Sequence, residues 1–191
     1  MVGQMPGVCG RTWLNGRVHL RVGDITQERV DVVVNAANPT LMGGGGVDGA
    51  VHRAAGPAVL RECQRLRRIK YPDGLPAGDA VVTNAGRLHA KRIIHTVGPI
   101  YRVAEGDAPK ELRSCYLRAL TLAGEQNMRT IAFPAISTGV YGYPPSAVAV
   151  VVSRALTDFL PNLPRITEVR LVFFTDEDAS IFLAHQAFPT L

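Results

Sequence analysis

The side chains with the most chemistry to offer lie in one stretch, Asn35-Ala36-Ala37-Asn38-Pro39-Thr40-Leu41-Met42-Gly43-Gly44-Gly45-Gly46-Val47-Asp48-Gly49. Four consecutive glycines lose much conformational entropy on ordering, so a structured run implies backbone that takes φ > 0 or approaches something closely. Their amides, beside the start of a helix, suit an anion such as a phosphate. The plain alternative is a flexible connector, but Asn35, Asn38 and Asp48 bracket the glycines rather than Ser or Lys. Asp48 and His52 stand four apart on the following helix and share a face, either as a surface pair or as a working one. A carboxylate near a helix N-terminus stays ionised there and can orient a water or a sugar hydroxyl.

A second loop, Ser137-Thr138-Gly139-Val140-Tyr141-Gly142, follows an apolar strand and leads through Tyr143-Pro144 into another helix. If the two strands are parallel, both loops sit at the carboxyl edge of one sheet, where open α/β folds bind ligands. Two glycine loops facing one crevice suit a diphosphate, with Thr138 and the amides on its oxygens and Tyr141 against a sugar; Tyr141 and Tyr143 also read as packing aromatics. In Gly23-Asp24-Ile25-Thr26, Asp24 reads first as a helix N-cap. The functional alternative is adenine recognition, the carboxylate accepting from the exocyclic amine and a neighbouring amide donating to a ring nitrogen.

Several familiar signatures fail. Gly44-x-Gly46-x-x-Gly49 spells the dinucleotide fingerprint, but roughly nine residues separate it from the strand ending at Val34, and Gln64 to Lys70 lacks the acidic residue that should follow. Ala50 and Val51 after Gly49 exclude a P-loop. Cys9, Cys63 and Cys115 have no C-x-x-C pair and no His at zinc spacing, so free thiols and no metal are expected. His95, inside an apolar strand, reads as a satisfied core histidine.

The elements that must hold these loops follow from periodicity. Apolar, β-branched runs predict strands over 18–22, 30–34, 80–83, 92–97, 130–135 and 168–174, the first alternating and suited to a sheet edge. Helices are predicted over 47–55, 58–69, 109–127, 144–160 and 177–187. Strands alternating with long helices imply an α/β domain with a mostly parallel sheet.

Length and composition agree. The 191 residues, with 47% hydrophobic content, are enough for one core without disulfide or metal. Residues 1–10 read as a flexible tail before a single domain over 11–191. No apolar run approaches the roughly 20 residues that cross a bilayer, and the N-terminus has no signal-peptide pattern, so a cytoplasmic setting is expected. The net charge of +5 favours an anionic ligand. The densest basic group, Arg61, Arg65, Arg67, Arg68 and Lys70, is most simply a solvated helix face, with RNA binding as the minority reading.

Taken together, Gly23-Asp24-Ile25-Thr26, Val34-Asn35-Ala36-Ala37-Asn38, Gly43-Gly44-Gly45-Gly46-Val47-Asp48, His52-Arg53-Ala54-Ala55-Gly56 and Ile136-Ser137-Thr138-Gly139-Val140-Tyr141-Gly142 closely resemble the macrodomain family. They are similar to its MacroD-type branch, which includes bacterial O-acetyl-ADP-ribose deacetylases. The resemblance runs from about Arg17 to Ala187. It implies a three-layer α/β/α fold around a mixed, mostly parallel six-stranded sheet. It also implies ADP-ribose as ligand and metal-free, cofactor-free hydrolysis of esters at the distal ribose, in O-acetyl-ADP-ribose or on ADP-ribosylated Asp and Glu of partner proteins. By position, Asp24 and Ile25 would take adenine, and Asn35, Gly45, Gly46 and Val47 would face Ser137, Thr138, Gly139, Val140 and Tyr141 across the ligand. Asn38 would hold ribose hydroxyls, Asp48 would position or activate water, and His52 would support it. Where relatives place an aromatic on adenine, Thr175 falls here, with Phe174 as substitute. A monomer is expected. The rival functions are an ADP-ribose reader without turnover and a poly(ADP-ribose)- or RNA-binding regulator.

Overall fold

The central strand positions the site, and its residue alternation explains the layers. The computed structural model describes residues 10–190. Its strands are β1 (Thr12–Trp13), β2 (Val18–Val22), β3 (Val32–Ala37), β4 (Ala80–Asn84), β5 (Arg92–Val97), β6 (Thr130–Phe133) and β7 (Glu168–Phe173). The helices are α1 (Gly46–Ala55), α2 (Pro57–Ile69), α3 (Ala108–Glu125), α4 (Pro145–Phe159) and α5 (Asp176–His185). In β3, Val32 and Val34 enter a core shared with α3, α4 and α5, while Val33 and Ala37 enter a second core with α1 and α2. Burial on both faces is why this strand reads as an unbroken apolar run.

The sheet order is β1-β2-β7-β6-β3-β5-β4, with β2, β7, β6, β3 and β5 parallel and β1 and β4 antiparallel at the edges. The fold is therefore the expected α/β/α arrangement, but with seven strands rather than six. The extra one, β1, is too short to register any alternation. It pairs Thr12 and Trp13 with His19 and Val18 across a turn in which Leu14 and Asn15 take left-handed φ of 51° and 57°. Trp13 stacks on Phe188 at 4.8 Å between ring centroids, which ties this ribbon to the body. As a result β2 is not at the edge, as its alternation suggests, but one strand inside it. Of the expected tail, residues 1–9 lie outside the described residues; Gly10 donates its amide to Leu20.

β3 also begins and ends later than its apolar run. Asp31 closes the start, its amide donating to Thr130 Oγ1 at 2.7 Å and its carboxylate accepting from the amides of Arg129 and Thr130. At the other end the strand passes through Asn35, which keeps the alternation and falls on the α1/α2 side. Because β2, β3, β5, β6 and β7 are parallel, the segments that follow them leave one edge of the sheet together. Among the described residues, no helix is long and apolar enough to cross a membrane.

Candidate functional site

Asp48 forms the floor of a cleft at that edge. α1 starts after Gly45, whose extended backbone caps it, so Asp48 lies in the first turn and its charge is favoured by the helix dipole. The carboxylate is buried. Asn35 Nδ2 donates to its Oδ1 at 2.7 Å, Asn38 Nδ2 reaches Oδ2 at 3.4 Å, and His52 Nε2 stands 3.5 Å from Oδ1. Burial pushes the Asp48 pKa above the ordinary carboxylate value, against the pull of the Asn35 hydrogen bond and the His52 charge.

Asn38 does more than line the cleft. Its Nδ2 also donates to the Gly43 carbonyl at 3.0 Å, and its Oδ1 accepts from the Thr40 amide and hydroxyl, so it closes the glycine loop on itself. The expectation of unusual backbone holds at Gly43 and Gly46, with φ of 83° and 56°. Gly49 is required for a different reason: a Cβ there would collide with the Gly44 carbonyl oxygen.

The facing wall is the loop over residues 136–142. Ser137 takes a φ of 67°, and its hydroxyl presses against Gly98, where no side chain would fit. The Tyr143 amide donates to Ser137 and the Tyr101 amide to Tyr141, which pins both ends of the loop. Val140 is fully exposed at the tip. The Thr138 hydroxyl turns to the Ala135 carbonyl at 3.3 Å and is spent inside the loop. Burial, then the Asp48 charge, raises the Tyr141 pKa, so the tyrosine and the carboxylate face one space. Asn38, Gly44, Gly45, Gly46, Val47, Asp48, Ser137, Gly139, Val140 and Tyr141 line a cleft of about 280 Å³, the lower end for small-ligand sites.

The remaining candidates lie farther along the edge. Asp24 is an N-cap, as its position suggests, with Oδ1 accepting from the Thr26 amide at 2.9 Å and hydroxyl at 2.8 Å; Ile25 beside it is buried. The β2–β7 register and the Gly23 amide on Phe173 put Asp24 and Phe174 at neighbouring strand ends. Phe174 is 79% exposed, whereas the Thr175 hydroxyl caps α5 by accepting from the Asp178 amide at 3.1 Å. Asn35 does not line the cleft: it is fully buried beneath Asp48.

One grouping was not visible from spacing. The fold brings Cys63 Sγ to 3.8 Å from His95 Nε2, and the ligand atoms of His52, Cys63 and His95 lie within 4.8 Å of one another. The sequence spacing, which has no His at zinc-ligand distance from a cysteine, did not reveal this grouping. The donors suit a metal poorly, since burial pushes the Cys63 thiol up to about 12 and both His95 nitrogens are engaged by Asn35 and Thr83. Cys63 and Cys115 are buried free thiols, as expected; Cys9 lies outside the described residues. Arg61, Arg65 and Arg68 are exposed on α2 and Lys70 is exposed at its C-terminal cap, away from the cleft.

Among the described residues, the buried side-chain polar atoms without a hydrogen-bond partner are Asn35 Oδ1, His52 Nε2 and Ser137 Oγ. Ser137 lines the cleft, and Asn35 and His52 lie against Asp48.

Residues 34–152 match the Macro domain family. The chain is 47% identical over 169 residues to the O-acetyl-ADP-ribose deacetylase of Citrobacter rodentium, spanning 88% of this chain and 94% of that one. A mutant of the Oceanobacillus iheyensis macrodomain with ADPR superposes with a TM-score of 0.84 at 41% identity, covering 88% of this chain and 90% of that chain. The Trypanosoma brucei macrodomain in complex with ADP-ribose does so with a TM-score of 0.79 at 35% identity, covering 87% and 68%. Motif order, sheet topology and these similarities agree, and the chain belongs to the macrodomain family.

Proposed function

We propose that the protein binds ADP-ribose along this edge and hydrolyses esters at its distal ribose, in O-acetyl-ADP-ribose and on mono-ADP-ribosylated Asp and Glu side chains. The observation that carries the reading is Asp48, a buried carboxylate held by two asparagines at the bottom of a cleft walled by two glycine loops. The diphosphate lies between the α1 N-terminus at Gly45, Gly46 and Val47 and the amides of residues 137–141. Adenine sits at Asp24, Ile25 and Phe174. From β2 to β3 is three strand spacings, about 14 Å, which calls for an extended ligand.

In the hydrolysis, water adds to the acyl carbon while Asp48 takes its proton. The ester bond to ribose then breaks, and the ribose oxygen receives that proton. A carboxylate whose pKa is raised by burial is a better base at neutral pH than an ordinary one. Asn38 fixes ribose and carboxylate in one frame, and His52 supports Asp48 from the next turn of α1. The reaction needs no metal, so turnover is expected to survive a strong chelator. Loss on chelation, restored by a divalent ion, would contradict this.

Incubation with O-acetyl-ADP-ribose tests the activity: acetate and ADP-ribose should accumulate together, and binding without acetate release would leave a reader. Two variants test the ligand's placement. Asp24→Ala should weaken ADP-ribose binding by about 1.5–3 kcal/mol in calorimetry, the range for a hydrogen bond to a charged group. Unchanged affinity would leave Asp24 as a cap alone. Val140→Glu should abolish binding without affecting the fold, because the side chain is fully exposed and a carboxylate there repels the diphosphate. Parent affinity in that variant would displace the diphosphate from this loop.

A further inference from the structure

His95 lies in the middle of β5, fully buried, opposite Asn35 of β3 and Val81 of β4. Asn35 Nδ2 is 3.1 Å from its Nδ1, and Thr83 Oγ1 is 2.9 Å from its Nε2. The proton positions follow by elimination. An ionised carboxylate only accepts, so the Asn35 group bonded to Asp48 must be its NH2. That NH2 has a second hydrogen, and it goes to His95 Nδ1. Nδ1 is therefore the bare nitrogen, and the neutral ring carries its hydrogen on Nε2 and gives it to Thr83. The Thr83 hydroxyl in turn donates to the Asn84 carbonyl at 2.9 Å. Each hydrogen along Asn84, Thr83, His95, Asn35 and Asp48 has one destination.

We propose that His95 is a positioning residue: held by Thr83 as the Nε2–H tautomer, it locks the Asn35 amide with its NH2 toward Asp48. The inference rests on the reading of Asp48 as the group that activates water. Without an acceptor at Nδ1, the carboxylate alone holds the Asn35 amide, whose second N–H loses its partner, and turning the amide oxygen to Asp48 costs less. Two acceptors would then face each other, and Asp48 would take up a proton more readily. The groups facing the ring are Asn35 from β3, Thr83 from β4, Cys63 from α2 and His52 from α1, the His52 ring lying 5.8 Å away centroid to centroid, with Asp48 reached through Asn35. Burial, aided by the neighbouring His52, keeps the His95 ring neutral, its pKa lowered to about 3.

The test compares the whole protein with His95→Leu, which removes the acceptor, and His95→Gln, whose carbonyl can face Asn35 and whose amide can face Thr83. NMR of the parent ring nitrogens should find Nε2 protonated and Nδ1 bare; the opposite tautomer would overturn the proposal with no variant needed. In His95→Leu the Asp48 carboxyl titration should move up by about one pH unit. Ester hydrolysis should fall about tenfold in kcat with KM unchanged. His95→Gln should restore both. A Leu variant with parent titration and rate would overturn the proposal, as would equal impairment of the Leu and Gln variants, which signifies packing alone. If the parent cleaves no ester, an Asp48 midpoint that shifts in Leu and returns in Gln upholds the positioning line while rejecting the hydrolase reading.

Discussion

Replacing Asp48 by Ala is expected to slow single-turnover cleavage of an ADP-ribosyl ester by about two orders of magnitude or more, the scale of positioned acid–base help. Affinity for free ADP-ribose should change by less than about 1.5 kcal/mol, because the proposed adenine and diphosphate contacts are made by other residues. Asn38→Ala should also lose turnover. Since Asn38 Nδ2 bridges Asp48 Oδ2 and the Gly43 carbonyl, the two residues hold one geometry, and the double variant should cost less than the sum. The buried charge has a price in stability as well. With its pKa raised, Asp48 favours folding in its protonated form, and that contribution is lost as pH rises through the folded pKa. Asp48→Asn should therefore melt at a higher temperature than the parent at neutral pH while losing turnover. Parent-rate cleavage by Asp48→Ala would move water activation to another group, such as the substrate's own diphosphate.

Acid should unfold the protein through His95. Its pKa is lowered from 6.5 to about 3, first by burial and then by the His52 charge. A depressed value means the neutral ring stabilises the fold, fully above the unfolded pKa and decreasingly as pH falls toward the folded one. Over that window one proton is taken up on unfolding, so stability should fall by roughly 1.4 kcal/mol per pH unit from this group alone. Asp48, whose pKa is raised, acts in the opposite sense, so the informative quantity is the difference from His95→Gln. Denaturant melts from neutral pH downward should show the extra slope in the parent and its absence in the variant. Equal slopes would mean that the ring is charged, or reached by water, in the folded protein.

Much of this site was legible because it is local. The glycine run and its neighbouring Asp48 and His52 depend only on strand, loop and helix following one another, and the four-residue spacing places both side chains on one face. The second loop was found in the same way, and parallel β3 and β6 join the two. What stayed hidden depends on register or on very short elements. Two residues of β1 carry no period, and the extension of β3 through Asn35 requires partners from α1 and β5. The meeting of Asn35, His95, Thr83 and Cys63 is set by the pairing of β3, β5 and β4 and by the placing of α2, none of which alternation specifies. Side-chain commitments were equally invisible: the Thr138 hydroxyl to Ala135, the Thr175 hydroxyl to α5, and both ends of the Asn38 amide to its own loop.

The proposal that this macrodomain is a hydrolase and not a reader is tested most directly on a protein mono-ADP-ribosylated at glutamate, with parent and Asp48→Ala compared for release of free ADP-ribose and for binding to the modified protein. The account predicts that the parent liberates ADP-ribose with repeated turnover and leaves unmodified glutamate, while Asp48→Ala binds the modified protein and releases almost none. Tight binding by the parent with no release of ADP-ribose would contradict it.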